Sequence, residues 1–250
     1  MDIVPGVHLI EGVRGSNVYL LADDELALID TGLPGNGQHI LDFIRTQGRD
    51  PDELAQIIIT HAHIDHMGSL MELQAVTGAK VVAHRGEAAG SSDDGYGLWF
   101  QSSGHHRGFL GMLARFTASK PIQIDLLAED DDILPYLGGL RVVHTPGHTR
   151  GSICLLLEKS RVLFAGDTII NNVNRLSRPL PFGGDGRDSE LSLLKLTHLD
   201  FDTCCFGHGP PLQEAHDKVR YLATNYPKSP LYWRIARNWS RLLGFLRNEE

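Results

Sequence analysis

The sequence predicts a layered α/β protein in which two β-sheets lie face to face with helices on the outside. Two observations predict this fold class. Short apolar runs alternate with helix-like segments along the chain, and each half of the chain combines a hairpin with strand–helix units. With 250 residues, of which 42% are hydrophobic, the chain is long enough to fill the core of such a fold.

Each predicted element follows from its local pattern. In the first half, residues 17–22 and 26–30 are separated by three acidic residues, as in a hairpin, and the β-branched run at 55–60 is typical of a buried strand. The remaining elements of this half are helices predicted over 38–47 and 67–76 and a strand predicted over 80–84. Strands of the second half are predicted over 140–145, 152–158, 161–167 and 203–207.

The overall charge and the cysteine content limit the partners and the location. A formal net charge of −8 gives an average field that repels polyanions, so no nucleic-acid partner is expected. Cys154, Cys204 and Cys205 cannot form a paired framework, which favours a reducing compartment. The first residues show no secretory pattern, and no run of about eighteen apolar residues occurs. We therefore expect a cytoplasmic protein without a membrane span.

Residues 89–120 differ from this regular pattern. They are rich in Gly and Ser but also contain large apolar side chains, which suits either a lid over a substrate or a helical insertion that packs against the domain. The candidate lid side chains are Trp99, Phe100, Phe109, Met112 and Phe116.

Residues 227–250 place apolar side chains at helical spacing, with arginines elsewhere around the helix. This pattern predicts a C-terminal amphipathic helix. We expect the helix to pack on its own domain or on the second subunit of a homodimer, and contact with a membrane surface is the less favoured alternative.

Four ligand-type side chains occupy six consecutive positions in the stretch THAHIDHMG: His61, His63, Asp65 and His66. If the preceding strand ends at Thr60, these side chains project from the carboxyl edge of a sheet. An isolated H-x-H pair more often belongs to a polar loop, but four such residues together are difficult to explain by solubility or packing alone. Catalytic zinc sites take three protein ligands of these types and leave one position for water.

Further candidate ligands recur at the ends of three other predicted strands, each beside a glycine: His148, Asp167 and His208. The glycine allows the backbone to approach an ion closely. Other histidines stand alone in the sequence or lie within a strand and are interpreted as structural: His8, His39, His84, His144, His198 and His216.

The motif H-x-H-x-D-H, followed by His, Asp and His at strand ends, resembles the metallo-β-lactamase superfamily, and the resemblance extends from the hairpin at 17–32 to His208. It implies an αββα sandwich of two mixed β-sheets flanked by helices, with a catalytic domain over 1–226 and two metal ions at one edge of the sheets. By position, His61, His63 and His148 would hold the first ion, Asp65, His66 and His208 the second, and Asp167 would bridge both.

The chemistry implied by this resemblance is metal-assisted hydrolysis. Imidazole and carboxylate ligands suit zinc, iron or manganese, and zinc is the expected metal. Two such ions would lower the pKa of a water between them towards about 7, which provides a hydroxide nucleophile at neutral pH. Asp65 is expected to help orient this water as a catalytic residue. Asp30 resembles the family aspartate that supports a metal-binding histidine, although a turn or cap role is the alternative.

The expected substrate is a small acyl compound, namely a thioester, an ester or a lactone. Class B β-lactamases generally lack an aspartate at the position of Asp167. Glyoxalase II shares the ligand set, but the lysine and tyrosine pair expected after this aspartate is missing in TIINNVNRLSRP. Acyl-homoserine lactonases share it too, but they place a tyrosine where this chain has Ile169 and Ile170. The sequence therefore leaves the compound itself open.

Three other functions remain as alternatives. Persulfide dioxygenases keep much of the same motif around a single iron, so a mononuclear iron oxidoreductase is the first. A phosphodiesterase is the second, because the same nucleophile would attack a phosphoryl centre. A metal-binding protein without catalysis is the least favoured, since all seven ligand positions are filled.

Overall fold

The computed structural model describes residues 1–92, 95–98, 122–173, 175–179 and 185–225. In chain order the strands are β1 (Asp2–Val4), β2 (Val7–Leu9), β3 (Tyr19–Ala22), β4 (Leu26–Ile29), β5 (Leu54–Ile59), β6 (Lys80–His84), β7 (Ala88–Ser92), β8 (Gly95–Leu98), β9 (Ile122–Gln123), β10 (Leu126–Ala128), β11 (Ile133–Leu134), β12 (Leu140–His144), β13 (Ile153–Leu157), β14 (Val162–Phe164), β15 (Ile170–Asn172), β16 (Arg175–Ser177) and β17 (Thr203–Cys205). The helices are α1 (Gly37–Thr46), α2 (Ile64–Met67), α3 (Leu70–Thr77), α4 (Gly186–Leu196) and α5 (Ala215–Asn225). Short 3₁₀ turns lie at Pro51–Glu53 and Arg85–Glu87.

The described strands form two large mixed sheets and two small ones. The first large sheet has the order β1-β2-β3-β4-β5-β6-β10, with antiparallel pairs up to β4 and parallel pairs from β4 onward. The second has the order β11-β12-β13-β14-β17, and only its last pair, β14 with β17, is parallel. The small sheets are β15-β16 and β7-β8-β9.

Side chains that alternate along the strands build three apolar layers. In β5, Ile57 and Ile59 pack with α1 and α3, while Ile58 faces the second sheet. In β13, Leu155 faces the first sheet, and Leu156 packs with α4 and α5 on the outside. Burial of each such side chain contributes roughly 1.5–3 kcal/mol. The predicted αββα sandwich is therefore confirmed.

The strand directions place the candidate ligands at one edge. Because β4 and β5 are parallel, Asp30 and Thr60 follow their carboxyl ends side by side. In the second sheet β14 and β17 are also parallel, so the loops that follow them leave at the same edge. The amide of Ile153 donates to the carbonyl of Thr60 at 3.0 Å and joins the two sheets there.

Two predicted segments lie outside the part of the chain that the structure describes, and one histidine has a neighbour that the sequence did not indicate. The candidate lid side chains from Trp99 to Phe116 and the predicted C-terminal helix at 227–250 lie outside the described residues. His84 does not stand alone, since its ring stacks on that of His144 with centroids 3.8 Å apart. Among the described helices, none has the length and apolar character needed to cross a membrane.

Candidate metal centre

The loop after β5 carries four candidate ligands in a tight turn. The backbone of His63 is extended, with φ −94° and ψ 149°, and its carbonyl accepts hydrogen bonds from the amides of His66 and Met67, both at 3.0 Å. These bonds start α2 and turn Asp65 and His66 towards the sheet edge. His61, His63 and His66 are buried, whereas Asp65 is partly exposed.

The nitrogens of three histidines meet at one point, and we call these residues the three-histidine group: His61, His63 and His148. Nδ1 of His63 lies 3.0 Å from Nε2 of His61 and 3.0 Å from Nε2 of His148. Burial, followed by the neighbouring imidazoles, lowers the pKa of His61 well below its ordinary value and that of His63 to about 3. Both rings are therefore neutral at physiological pH and can present lone pairs to a cation.

A second set of side chains, the mixed group, lies beside the first: Asp65, His66 and His208. Nε2 of His208 is 3.3 Å from Oδ2 of Asp65 and 3.4 Å from Nε2 of His66. Burial opposes ionisation of Asp65, but the hydrogen bond and the charges of these histidines outweigh it and lower its pKa. The hydrogen bond to Asp65 in turn raises the pKa of His208.

The carboxylate of Asp167 lies between the two groups. Its Oδ1 is 3.4 Å from Nε2 of His66, and its Oδ2 is 3.6 Å from Nε2 of His148 and 3.5 Å from Nε2 of His208. Burial opposes ionisation of this residue, but the histidine charges outweigh it and hold its pKa at about 2. A single carboxylate thus contacts both groups.

Asp30 holds His66 from behind. It is a non-glycine residue in the left-handed region, at φ 60°, and it is buried. Its Oδ1 accepts from the amide of Thr60 at 2.9 Å, and its Oδ2 accepts from the hydroxyl of Thr60 and from Nδ1 of His66, both at 2.8 Å. Because Nδ1 of His66 donates to this carboxylate, Nε2 is the nitrogen directed towards Asp167.

Two residues that sequence reasoning did not single out, Asn17 and Glu87, also shape the site, together with the glycine that precedes His208. The side-chain amide of Asn17 donates to the carbonyls of Phe206 and Gly209 at 2.9 and 2.7 Å, and thereby holds the loop that carries His208. A Cβ on Gly207 would lie 2.4 Å from Oδ1 of Asp167, so only glycine fits there. Glu87 is a buried carboxylate that follows β6. An acidic residue just after a buried strand is the signal that could have identified it.

The arrangement fits divalent metal ions. Three sets of donor atoms each lie within 4.8 Å of one another among the described residues: His61 with His63 and His148, His61 with His66 and Asp167, and Asp65 with His66 and His208. Oδ1 of Asp167 is buried and accepts no hydrogen bond from the described residues. Imidazole and carboxylate are the donors that zinc and similar ions prefer. The structure therefore brings all seven predicted ligand side chains together, with Asp30 beside them.

Comparisons with known proteins agree with this geometry. A probable metallo-hydrolase of Bacillus subtilis is 27% identical over 230 residues, which cover 84% of this chain and 86% of that protein. A hydroxyacylglutathione hydrolase of Cereibacter sphaeroides is 31% identical over 180 residues, which cover 71% of this chain and 56% of the enzyme. The crystal structure of a metallo-beta-lactamase family protein from Thermus thermophilus superposes with a TM-score of 0.71 and 25% identity, over 90% of this chain and 80% of that one.

The family match covers most of the chain and both halves of the site. Residues 12–208 match the sequence family described as the metallo-beta-lactamase superfamily, a range that begins before Asp30 and ends at His208. The resemblance predicted from the motifs is therefore confirmed, and the chain belongs to the metallo-beta-lactamase superfamily.

Proposed function

We propose that this protein is a dinuclear metallo-hydrolase, with zinc as the native metal, that cleaves a small acyl compound. The three-histidine group would hold one ion and the mixed group the other. The observation that carries the proposal is the position of Asp167, whose two oxygens approach His66 and His148, one from each group, at 3.4 and 3.6 Å. A carboxylate in this position suits a bridge between two ions.

The side chains prepare the site for hydrolysis in distinct ways. Two bound divalent ions would supply a water of lowered pKa and would polarise the carbonyl under attack. Asp65 remains ionised because its pKa is lowered, so its carboxylate would hold an ion with the mixed group and would orient the attacking water by accepting a hydrogen bond from it. Asp30 fixes the ring of His66, so that the site is organised before substrate arrives.

The choice of an acyl substrate has support from the relatives. One of them is named a hydroxyacylglutathione hydrolase, an enzyme that acts on a thioester. This chain spans only 56% of that enzyme's length, and the segment after Asp167 lacks the lysine and tyrosine expected for glutathione. We therefore favour a small thioester, ester or lactone whose recognition does not depend on a glutathione group.

A substrate panel tests the proposal. The zinc-loaded chain should hydrolyse at least one thioester, ester or lactone, and a chelator should abolish the reaction. Asp65→Asn should lower kcat by up to about 100-fold, as expected when a carboxylate that would hold an ion and orient the water is lost, while the exposed Asp131→Asn leaves it unchanged. Turnover of phosphodiesters without turnover of any acyl compound would contradict the assignment of the substrate class.

A further inference from the structure

Glu87 is a buried carboxylate outside the set of seven. It ends the 3₁₀ turn Arg85–Glu87 that follows β6, and only 3% of its surface is exposed. Burial of a carboxylate is costly unless donors compensate for the lost water. The donors around Glu87 therefore indicate what the residue does.

The donors come from both segments that carry the three-histidine group. Oε2 of Glu87 accepts from the amide of Ala62 at 2.8 Å, and Ala62 stands between His61 and His63 in the chain. Oε1 accepts from the amide of Gly151 at 2.8 Å and from the hydroxyl of Thr149, the residue after His148. One carboxylate thus accepts hydrogen bonds from both loops that carry the three imidazoles.

The backbones around Glu87 approach one another closely. A Cβ on Gly151 would lie 2.4 Å from the amide nitrogen of Glu87, and a Cβ on Gly86 would lie 2.7 Å from Cα of Gly151. The second loop is also tied to itself, since the hydroxyls of Thr149 and Ser152 are 2.6 Å apart. Movement of the Glu87 carboxylate would therefore move the His148 loop with it.

We propose that Glu87 is a positioning residue for the three-histidine group, an inference that rests on the proposed metal function. Asp30 is a second buried carboxylate beside the centre, and it holds Thr60 and His66. Glu87 contacts the loops of the three-histidine group through two backbone amides and a hydroxyl. Asp30 holds the imidazole of His66 directly and also the amide and hydroxyl of Thr60. Loss of the Glu87 carboxylate would weaken the binding of the ion held by the three-histidine group and leave the binding of the other ion unchanged.

The substitution Glu87→Gln tests this role with little change in volume. A carboxylate only accepts hydrogen bonds, whereas the amide group of glutamine donates on one side. In one orientation the side-chain NH₂ group of glutamine faces the amide of Ala62, and in the other it faces the groups of Thr149 and Gly151. In both orientations a donor faces a donor. The loop geometry relaxes as a result, and the imidazoles no longer converge.

The measurement is zinc binding by the full chain in competition with a chromophoric chelator, together with the visible spectrum of the Co²⁺-substituted chain. We expect Glu87→Gln to lower the affinity for one of the two ions by about 10- to 100-fold, the range observed when a hydrogen-bond partner of a metal ligand is lost. The second ion should stay within about twofold of the wild-type affinity, and the cobalt spectrum should change. Glu129→Gln is the matched control, because this exposed carboxylate pairs with Arg85 in the same region.

A second pair of variants covers the case in which Glu87→Gln does not fold. Thr149→Val removes one donor to Glu87 and should lower the affinity for the same ion, but by less than Glu87→Gln does. Thr149→Ser keeps the hydroxyl and should retain the wild-type affinity. Wild-type affinity for both ions in Glu87→Gln, or equal weakening of both, would overturn the positioning role while leaving the metal function intact. Absence of zinc binding by the wild-type chain would overturn both proposals.

Discussion

Replacement of Asp30 by asparagine separates the supporting role of this residue from its role as a turn residue. Asparagine tolerates the left-handed backbone at φ 60°, so the substitution adds no backbone strain. It exchanges one acceptor oxygen for an amide nitrogen that donates. All other contacts retain their shape.

The structure leaves the new amide without a satisfactory orientation. If its nitrogen replaces Oδ2, it faces Nδ1–H of His66, and if it replaces Oδ1, it faces the backbone amide of Thr60. Either way a buried donor meets a donor, which costs about 1–3 kcal/mol of unfolding free energy. Relief by moving the proton of His66 to Nε2 would remove the lone pair that an ion needs.

Two assays follow this prediction. Urea unfolding of the metal-free chain should show the loss of about 1–3 kcal/mol. Zinc competition should show a loss of about 10- to 100-fold in affinity for one ion, the one held by the mixed group. Asp131→Asn is the control, because Asp131 also has a positive φ, of 66°, but is exposed and pairs with Arg141 at the surface. Unchanged affinity for both ions in Asp30→Asn would refute the reasoning.

Three further predictions address the bridge, the space around it and the pH dependence. Asp167→Ala should lose bound zinc and activity together, because one carboxylate contacts both groups, and retention of two ions with full turnover would remove this residue from the site. Gly207→Ala should displace Asp167 and reduce zinc content and kcat more than 10-fold, whereas Gly78→Ala, with open space around it, should cost only about 1 kcal/mol of stability. Burial, followed by the nearby His144, lowers the pKa of His84 from 6.5 to about 4. As the pH falls, the unfolded chain therefore protonates this histidine at a higher pH than the folded chain does, so the stability present above pH 6.5 is lost as the pH falls towards 4. We expect His84→Asn to reduce this loss of unfolding free energy by about 1–2 kcal/mol, after allowance for solvent near the ring. Identical acid profiles for both chains would exclude His84 as the cause.

The strands that carry the ligands were predictable because burial leaves a direct pattern. The run at 55–60 is apolar and β-branched, and β5 occupies Leu54–Ile59. Ligand-type residues directly after such strands share an edge once the strands are parallel, as β4 and β5 are. Short edge strands such as β1 and β11 have too few residues to show a pattern, and the sequence did not predict them.

The contacts of Glu87 and His84 were beyond sequence reasoning for a different reason. The partners of Glu87 are mainly backbone amides, 25 and 64 positions away, and backbone amides carry no residue signature. His84 and His144 lie on different sheets and meet only because the sheets stack. Domain boundaries, the lid at 89–120 and the C-terminal helix stay predictions.

The metal content of the chain tests the central claim most directly. Protein purified without chelator or added metal, analysed by plasma mass spectrometry, should contain about two divalent ions per chain, with zinc the expected metal. The Asp167→Ala variant, measured alongside, should contain less than the wild type. A single iron per chain would contradict the dinuclear hydrolase and favour oxidation of sulfur compounds, and a chain that holds no metal at all would contradict the metal centre itself.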